Sequence, residues 1–346
     1  MQARPAEPRE SELHVGILKM FHEHSSPADS PSYWASVWGT LDREAYAGDA
    51  RRHCASSPLW KLTVQTARSD RLFVDGGCGH GYWVKCLHDL GYRAAGVDFS
   101  EDTVRQIHKI DPRLDVRVGD IRAMPFDAGS VHVYYSGGVV EHFEDGPAHA
   151  LREARRILAP DGWFFCSVPD LSPLRRALYR GATDEREVRS GNLTVRRAGA
   201  TRAEAPRGEE RFYCYLFAES QFVRLLQDAG FDVVDSFGTN IAWGLMEFGP
   251  VRDAYRAGGR VLEALRKSKE REPAVGADGV REASGPTKPP SSRGQSALGR
   301  LGVLAKRVMV QEDRSVPVLG RGVRLAGELA ANMRVYVARP SLARPG

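Results

Sequence analysis

The fold is decided by one stretch of sequence, LFVDGGCGHG at residues 72–81. Its apolar start leads to an acid, Asp75, and then into a turn that contains four glycines. A short apolar run that ends in turn residues is typical of a buried strand. Glycines allow the backbone to approach a ligand closely and to adopt conformations that a Cβ forbids. The stretch therefore predicts a strand, a ligand-binding turn and a helix in that order.

Outward from this stretch, short apolar runs alternate with segments of helical period, which is typical of βαβ units and a parallel sheet. The predicted strands cover residues 71–75, 93–98, 114–119, 131–136, 162–168, 231–237 and 332–338. The predicted helices between them cover residues 80–90, 101–110, 147–158 and 218–229.

The remaining segments predict the domain organisation. Residues 1–12 are polar and are expected to form a disordered tail, and residues 13–65 an N-terminal helical lid with a short helix over 13–21. The main domain covers residues 66–239 and 332–340, with 172–211 as an inserted lid. Residues 240–331 form a second insertion, and its Pro-, Gly- and Ser-rich middle, about 270–295, predicts a disordered linker.

Composition places the chain among ordinary globular proteins, since 42% of its 346 residues are hydrophobic and 27% are charged. No apolar run approaches the roughly 20 residues that span a bilayer, and the N-terminus does not resemble a signal peptide. The five cysteines are scattered without zinc-site spacing, which predicts free thiols, no metal site and a cytoplasmic location. The net charge of +5 is compatible with binding to an anionic substrate, a nucleic acid or a membrane surface.

Residues 75–81 resemble D-x-G-C-G-x-G, the first motif of class I S-adenosylmethionine-dependent methyltransferases, at every fixed position. The alternative, a dinucleotide site, requires G-x-G-x-x-G, but counting from Gly77 places Tyr82 at the third glycine. An acid at position 75 would also face a pyrophosphate unfavourably. Together with the seven strands, the resemblance implies a Rossmann-like, doubly wound α/β fold. Its seven-stranded sheet is mostly parallel with an antiparallel last strand.

The resemblance implies S-adenosyl-L-methionine as cofactor. Asp75 would pair with the amino group of its methionine moiety. Asp98, about 20 residues past the turn, would accept the ribose hydroxyls, although it would serve equally well as a helix cap. Asp120 would receive the adenine amino group. The predicted cofactor residues are Asp75, Gly76, Gly77, Cys78, Gly79, Gly81, Asp98, Phe99, Asp120, Ile121, Ser136 and Gly137.

Residues 137–143, GGVVEHF, are similar to the post-strand loop of small-molecule methyltransferases of the broad "methyltransferase 11" type. The match is close over residues 71–170 and looser over 212–238. It leaves the N-terminal aromatic segment and the 240–331 insertion unexplained.

Methyl transfer from a sulfonium is an in-line displacement that needs alignment more than acid–base chemistry. If the acceptor is a hydroxyl, His142 is the candidate base and Glu141 the second choice. A structural role of His142 in its loop is the alternative. Tyr33, Trp34, Trp38 and Trp83 are candidates for covering the sulfonium or the acceptor. The alternative for these aromatic residues is packing of the first helices onto the sheet.

The expected activity is methyl transfer to a small molecule such as a sugar, glycan or secondary metabolite. An RNA or protein methyltransferase is the second class, but the post-strand loop lacks an Asn/Asp-Pro-Pro-Tyr sequence and no RNA-binding module is recognisable. A non-catalytic cofactor-binding partner protein is the third.

The basic insertions are candidates for contact with an anionic acceptor or for peripheral contact with a membrane. The alternative is that they form only solvated surface. Oligomeric state stays open. The arginines of the first insertion are Arg175, Arg176, Arg180, Arg186, Arg189, Arg196 and Arg197.

Overall fold

A computed structural model describes residues 17–23, 30–180, 188–190, 193–197, 210–241, 245, 325 and 328–341. The predicted N-terminal tail and the predicted linker at about 270–295 lie outside these residues, as does most of the second insertion. In the described part, no helix is both long and apolar enough to cross a membrane.

The first described segment is a strand, and three helices follow it before the main domain. These elements are β1 (Ile17–Glu23), α1 (Pro31–Trp38), α2 (Tyr46–Ser56) and α3 (Trp60–Thr66). Strands and helices then alternate as β2 (Leu72–Gly76), α4 (Tyr82–Asp89), β3 (Arg93–Asp98), α5 (Glu101–Ile110), β4 (Asp115–Val118), β5 (Val131–Gly137), α6 (Ala148–Ile157) and β6 (Leu158–Pro169). The chain continues through α7 (Pro173–Leu178), β7 (Val188–Ser190), β8 (Leu193–Arg197), β9 (Glu210–Phe217), α8 (Glu219–Asp228), β10 (Phe231–Thr239) and β11 (Met333–Pro340).

Seven strands form the large sheet in the order β10-β11-β6-β5-β2-β3-β4. The last strand, β11, runs antiparallel to both neighbours, and the pairs from β6 through β4 are parallel. The predicted fold class is confirmed. From β2 the chain winds outward to β3 and β4, then returns to the other side of β2 as β5. Such a reversal opens a crevice at the carboxyl ends of the strands, where ligands bind in open α/β sheets.

The core lies on both faces of the large sheet, because successive residues of a strand point to opposite sides. Val74 of β2 and Phe164 of β6 belong to the buried cluster on one face. Their chain neighbours Phe73 and Phe165 belong to the cluster on the other. Near-continuous apolar runs are therefore what the central strands require.

A second sheet was not predicted. Its four strands pair antiparallel in the order β7-β8-β1-β9. The helix predicted over residues 13–21 is wrong for its described part, since residues 17–23 form β1. β1 is central in this sheet, with Ile17, Leu18, Met20 and Phe21 all buried. A short apolar run of this kind cannot be assigned to strand or helix from periodicity alone.

The 172–211 segment, predicted to be a lid without core elements, contributes α7, β7, β8 and the start of β9 to the described structure. Of its strands, β8 and β9 pair with β1, which precedes the main domain by about fifty residues of sequence, and β7 pairs with β8. No local pattern carries that long-range pairing, so the sequence alone did not predict it.

A buried ion cluster joins the large sheet to the segments around it. Arg334 of β11 is 4% exposed and lies 3.3 Å from Asp170 Oδ1, 3.3 Å from Glu219 Oε1 and 2.8 Å from Glu328 Oε2. Asp170 follows β6 directly and is also buried. Its backbone forms an isolated parallel β-bridge with that of Phe217 in β9. The cluster therefore lies where the two sheets meet.

Replacement of Arg334 by Met is expected to lower the free energy of unfolding by about 3–5 kcal/mol, because it leaves the buried Asp170 carboxylate without its partner. Equilibrium unfolding in urea measures the loss. Arg339→Met on the same strand is the control, since Arg339 is exposed and lies over the Trp163 ring at 4.1 Å. That variant should lose less than about 1 kcal/mol. Equal losses in the two variants would contradict a stabilising role for the cluster.

Candidate active site

The glycine turn after β2 is fastened to the neighbouring strand β3. The N–H groups of Gly77 and Cys78 donate to the Val97 carbonyl at 2.7 and 3.1 Å. The Gly79 N–H donates to Asp98 Oδ2 at 2.8 Å. The turn is thus held at the carboxyl edge of the sheet, beside the point where the strand order reverses.

Two glycines of this turn are required by space as well as by conformation. Gly77 has φ +76°, and a Cβ there would collide with the Val139 side chain. Gly79 has φ +49°, and a Cβ there would lie 2.7 Å from Trp38 Cζ2. Positive φ is strained for residues with a side chain. Any larger residue would therefore displace the segments that cover the turn.

Asp75, at the end of β2, is a buried acid that faces the cavity and is 3% exposed. No hydrogen bond recorded among the described residues involves its carboxylate. Burial, and secondarily the charge of Asp98, raise the pKa of Asp75 to about 8. A buried carboxylate is costly unless a cation pairs with it, so this site favours a cationic ligand.

Asp98, at the end of β3, is buried and has a structural task besides any ligand. Its Oδ1 accepts from the Ser100 N–H at 2.9 Å, and its Oδ2 accepts from Gly79. The helix α5 is capped by Ser100, whose hydroxyl accepts from the Thr103 N–H. The alternative role of Asp98 as helix cap is therefore filled by Ser100. Burial raises the pKa of Asp98, and these two hydrogen bonds oppose the rise.

Asp120, after β4, lies at the same edge and is part-exposed. Its Oδ2 pairs with Arg122 Nη2 at 2.7 Å. Burial alone would raise the pKa of Asp120, but the hydrogen bonds and charge of Arg122 prevail and lower it. Asp120 is therefore the most readily ionised of the three strand-end acids. Its neighbour Ile121 is buried and also faces the cavity.

A single cavity brings most of the predicted site residues together. Those that line it are Trp34, Trp38, Asp75, Gly77, Cys78, Trp83, Asp98, Phe99, Asp120, Ile121, Gly137 and His142. The predicted residues that do not line it are Tyr33, Gly76, Gly79, Gly81, Ser136 and Glu141. On β5 the cavity is reached by Tyr135 and Gly137, whereas Ser136 between them is fully buried. The side-chain alternation of a strand explains this one-residue displacement.

Sequence reasoning missed several lining residues, namely His53, His80, Tyr82, Gly119, Tyr135, Gly138, Val139 and Phe143. Tyr135 could have been found from strand alternation once Gly137 was chosen. His80 lies within the glycine run itself. His53 belongs to α2 and reaches the cavity only through tertiary packing, so no local signal marks it.

His142 follows β5 in a short 3₁₀ turn and is held by the second sheet. Its Nδ1 lies 2.7 Å from the Tyr213 carbonyl oxygen. Because a carbonyl only accepts, Nδ1 must carry the hydrogen, and the neutral ring has its lone pair on Nε2. Tyr213 belongs to β9 of the second sheet. This sheet, which was not predicted, therefore sets the tautomer of the candidate base.

Glu141 is buried beside His142 and does not line the cavity. Its Oε1 lies 3.8 Å from His142 Nε2, which is beyond hydrogen-bond distance. Burial raises the pKa of Glu141 to about 8, so the carboxyl is mainly neutral at pH 7. A neutral acid without cavity contact is a poor base.

Helix α1 lies over the glycine turn and brings two indoles to the cavity. The Trp34 ring is 4.8 Å from the His142 ring, and the Trp38 ring is 5.1 Å from His80. His80 Nε2 also donates to the Trp38 carbonyl at 3.0 Å. Tyr33 is buried against Trp34 outside the cavity, as in the packing alternative.

These residues fit an adenosyl sulfonium ligand. The glycine turn provides close backbone approach, and Asp75 provides an unpaired buried carboxylate for a cationic group. Asp98 and Asp120 follow neighbouring strands at the same edge and line the cavity together with Phe99 and Ile121. The charge and shape of the site agree with the cofactor that the sequence motif implies.

Comparison with known proteins agrees with this site. Residues 74–166 match the family described as "Methyltransferase domain". A protein of Mycolicibacterium smegmatis named "Probable S-adenosylmethionine-dependent methyltransferase" is 30% identical over 194 residues, 55% of this chain and 62% of the relative. A ubiquinone biosynthesis O-methyltransferase of Methylococcus capsulatus is 25% identical, over 65% of this chain and 85% of its own length.

Among solved structures, an S-adenosylmethionine-dependent methyltransferase from Mesorhizobium loti covers 83% of this chain and 99% of its own, at 15% identity and a TM-score of 0.43. The chain spans 41% to 62% of the length of the first curated relatives that it matches. The domain that contains residues 74–166 thus resembles the S-adenosylmethionine-dependent methyltransferases, and these matches support S-adenosylmethionine as its cofactor.

Proposed function

We propose that the protein transfers a methyl group from S-adenosylmethionine to a hydroxyl group of a small-molecule acceptor. The observation that carries the proposal is that one cavity joins the three strand-end acids to His142. The acids would bind the cofactor, and His142 would remove a proton from the acceptor.

The cofactor residues act by binding and orientation. Asp75 would hold the cationic amino group, Asp98 the ribose hydroxyls, and Asp120 with the Ile121 N–H the adenine edge. When bound, S-adenosylmethionine supplies an electrophilic methyl group on a sulfonium. The turn that contains Gly77 and Gly79 is fixed to β3, so these groups are positioned before the ligand arrives, which lowers the entropic cost of alignment.

His142 is placed to act as general base. With the hydrogen on Nδ1 held by the Tyr213 carbonyl, the lone pair that would take the proton of an acceptor hydroxyl is on Nε2. Trp34 packs against the same ring and limits access of water to it. The relative from Methylococcus capsulatus is named an O-methyltransferase, which supports a hydroxyl acceptor for this chain.

We also propose the cytoplasm as the place of the reaction. All five cysteines are buried free thiols, which suits a reducing compartment.

The test of the proposed function is incubation of the full chain with methyl-labelled S-adenosylmethionine and a cell extract that has been divided by filtration into small molecules, RNA and protein. We expect label in the small-molecule fraction as a methyl ether. Label confined to RNA or protein would contradict the small-molecule acceptor. Tight cofactor binding without transfer to any fraction would point to a non-catalytic partner protein.

Asp75→Asn is expected to weaken binding of S-adenosylhomocysteine by about 10- to 100-fold, the value of a lost hydrogen bond to a charged group. Titration calorimetry measures the dissociation constant.

The stability of the ligand-free Asp75→Asn variant should also depend on pH differently from that of the wild type. Because the folded protein binds the Asp75 proton more tightly than the unfolded chain, wild-type stability falls as pH rises from about 4 towards a pKa of about 8.

Asn cannot titrate, so the thermal unfolding temperature of Asp75→Asn should fall less between pH 5 and pH 8 than that of the wild type. The control is Asp102→Asn, an exposed acid in the first turn of α5 that lies outside the cavity. Its cofactor affinity should equal that of the wild type. Unchanged affinity and an unchanged pH slope in Asp75→Asn would rule out the assigned role of this acid.

His142→Ala is expected to slow label transfer to the small-molecule fraction by about 10²- to 10⁴-fold, the usual contribution of a positioned base. Its affinity for S-adenosylhomocysteine should stay within the error of the wild-type value. His149→Ala is the control, because His149 lies on the exposed face of α6. Thermal unfolding confirms that both variants fold. Transfer at the wild-type rate by His142→Ala would remove the base from the proposal.

A further inference from the structure

The cavity has two chemically different halves. Its β2–β4 side carries the three acids and, by the proposed function, receives the cofactor. Its β5 side, with helix α1 above it, is left for the acceptor. We call this side the acceptor half and define it by Trp34, Trp38, Val139, His142 and Phe143, all of which line the cavity. Val139 and Trp38 also lie against Gly77 and Gly79, at the boundary with the cofactor side.

Among the described residues, the acceptor half offers no cation to an anionic acceptor. In the part of the chain that the structure describes, none of the lining residues is Lys or Arg. Arg122 lies behind Phe143, with its guanidinium 4.4 Å from the ring centre, and is paired with Asp120. A buried phosphate or carboxylate would therefore enter without a counter-charge, at a cost of several kcal/mol.

Arg175 and Arg176 of the first insertion do not supply that charge, and the side chains of Arg186, Arg189, Arg196 and Arg197 lie outside the described residues. Arg175 is 4% exposed and donates to the carbonyls of Asp170 and Asn332. Arg176 donates to the Leu171 carbonyl at 3.0 Å. Neither lines the cavity. These contacts give both arginines a structural role.

The described residues of the acceptor half offer no carboxylate to a cationic acceptor either. Glu141 is the acid nearest to His142 in the described structure, and it is buried outside the cavity with its carboxyl held mainly neutral at pH 7. The three ionisable acids of the cavity lie on the opposite side, where the cofactor already provides a cation. An ammonium group would find aromatic faces here but no anion.

The walls of the acceptor half are flat and mostly apolar. The Trp34 and Trp38 rings lie 6.0 Å apart at an interplanar angle of 30°, and Trp34 meets His142 edge-on at 4.8 Å. Phe143 is buried on the same side. Apart from the two indole N–H groups, His142 is the polar side chain in this half. Ring faces and edges of this kind favour a planar aromatic partner.

Resting on the proposed function, we infer that the methyl acceptor is an uncharged, planar aromatic compound with a hydroxyl group, bound in the cavity against the wall that the indoles of α1 and the His142 ring form together. In the reaction an O–CH3 bond forms as the S–CH3 bond breaks. The hydroxyl proton passes to His142 Nε2, and S-adenosylhomocysteine and an aryl methyl ether leave. This selects an aryl hydroxyl over a sugar, a phosphorylated compound or an amine.

Four probes with the same two-ring carbon skeleton test this inference on the full chain saturated with S-adenosylhomocysteine. They are 2-naphthol, 2-naphthyl phosphate, 2-naphthylmethylammonium and decahydro-2-naphthol, and titration calorimetry measures their dissociation constants. We expect 2-naphthol to bind about tenfold or more tightly than each of the other three, because it alone is both flat and uncharged. An equal or tighter affinity for the phosphate, the ammonium or the saturated alcohol would overturn the inference.

Trp34→Leu should remove most of the preference for 2-naphthol, since it keeps an apolar side chain without an aromatic face. The matched control is Trp163→Leu, because Trp163 lies on β6 outside the cavity. It should bind 2-naphthol as the wild type does. Undiminished binding by Trp34→Leu would also overturn the inference. Failure of S-adenosylhomocysteine itself to bind would contradict the proposed function, whereas cofactor binding without 2-naphthol binding contradicts only the acceptor class.

Discussion

The site depends on one hydrogen bond, from the Gly79 N–H to the carboxylate of Asp98 at 2.8 Å. This bond fixes the glycine turn after β2 against the end of β3, and the Val97 carbonyl holds two further N–H groups of the turn. With the turn fixed, Asp75 remains a buried acid with no partner recorded in the described structure. Burial raises the pKa of Asp75 to about 8 and so keeps the carboxyl mainly protonated without a ligand, whereas a bound cationic group favours its ionised form.

The second sheet extends this arrangement to the reactive end of the cavity. The carbonyl of Tyr213 in β9 selects the tautomer of His142, and α1 lays Trp34 against the same ring. Both elements lie outside residues 74–166, the part of the chain that matches the family. The cofactor side of the cavity is thus built by the family's shared segment. On the acceptor side, Val139, His142 and Phe143 also lie within residues 74–166, whereas Trp34 and Trp38 come from outside them. Substrate specificity varies on a common scaffold through such additional segments.

Local pattern was enough to predict the large sheet and to place three acids at its carboxyl edge. Apolar runs ending in Asp75, Asp98 and Asp120 mark strand ends, and the helix predicted over residues 101–110 agrees with α5. The second sheet could not be predicted, because β1 pairs with β8 and β9 across more than 150 residues. Within the site, Ser136 was chosen where Tyr135 faces the cavity. Sequence spacing identifies a strand end, but the pleat decides which neighbour points into the crevice.

The central claim is that the carboxyl edge of β2, β3 and β4 binds an adenosyl sulfonium. A crystal structure of the full chain grown with S-adenosylhomocysteine tests it most directly. The account predicts ligand density across the glycine turn, with the amino group at Asp75 and the ribose at Asp98. Density for the nucleoside elsewhere on the protein, or an empty crevice at saturating ligand, would contradict it.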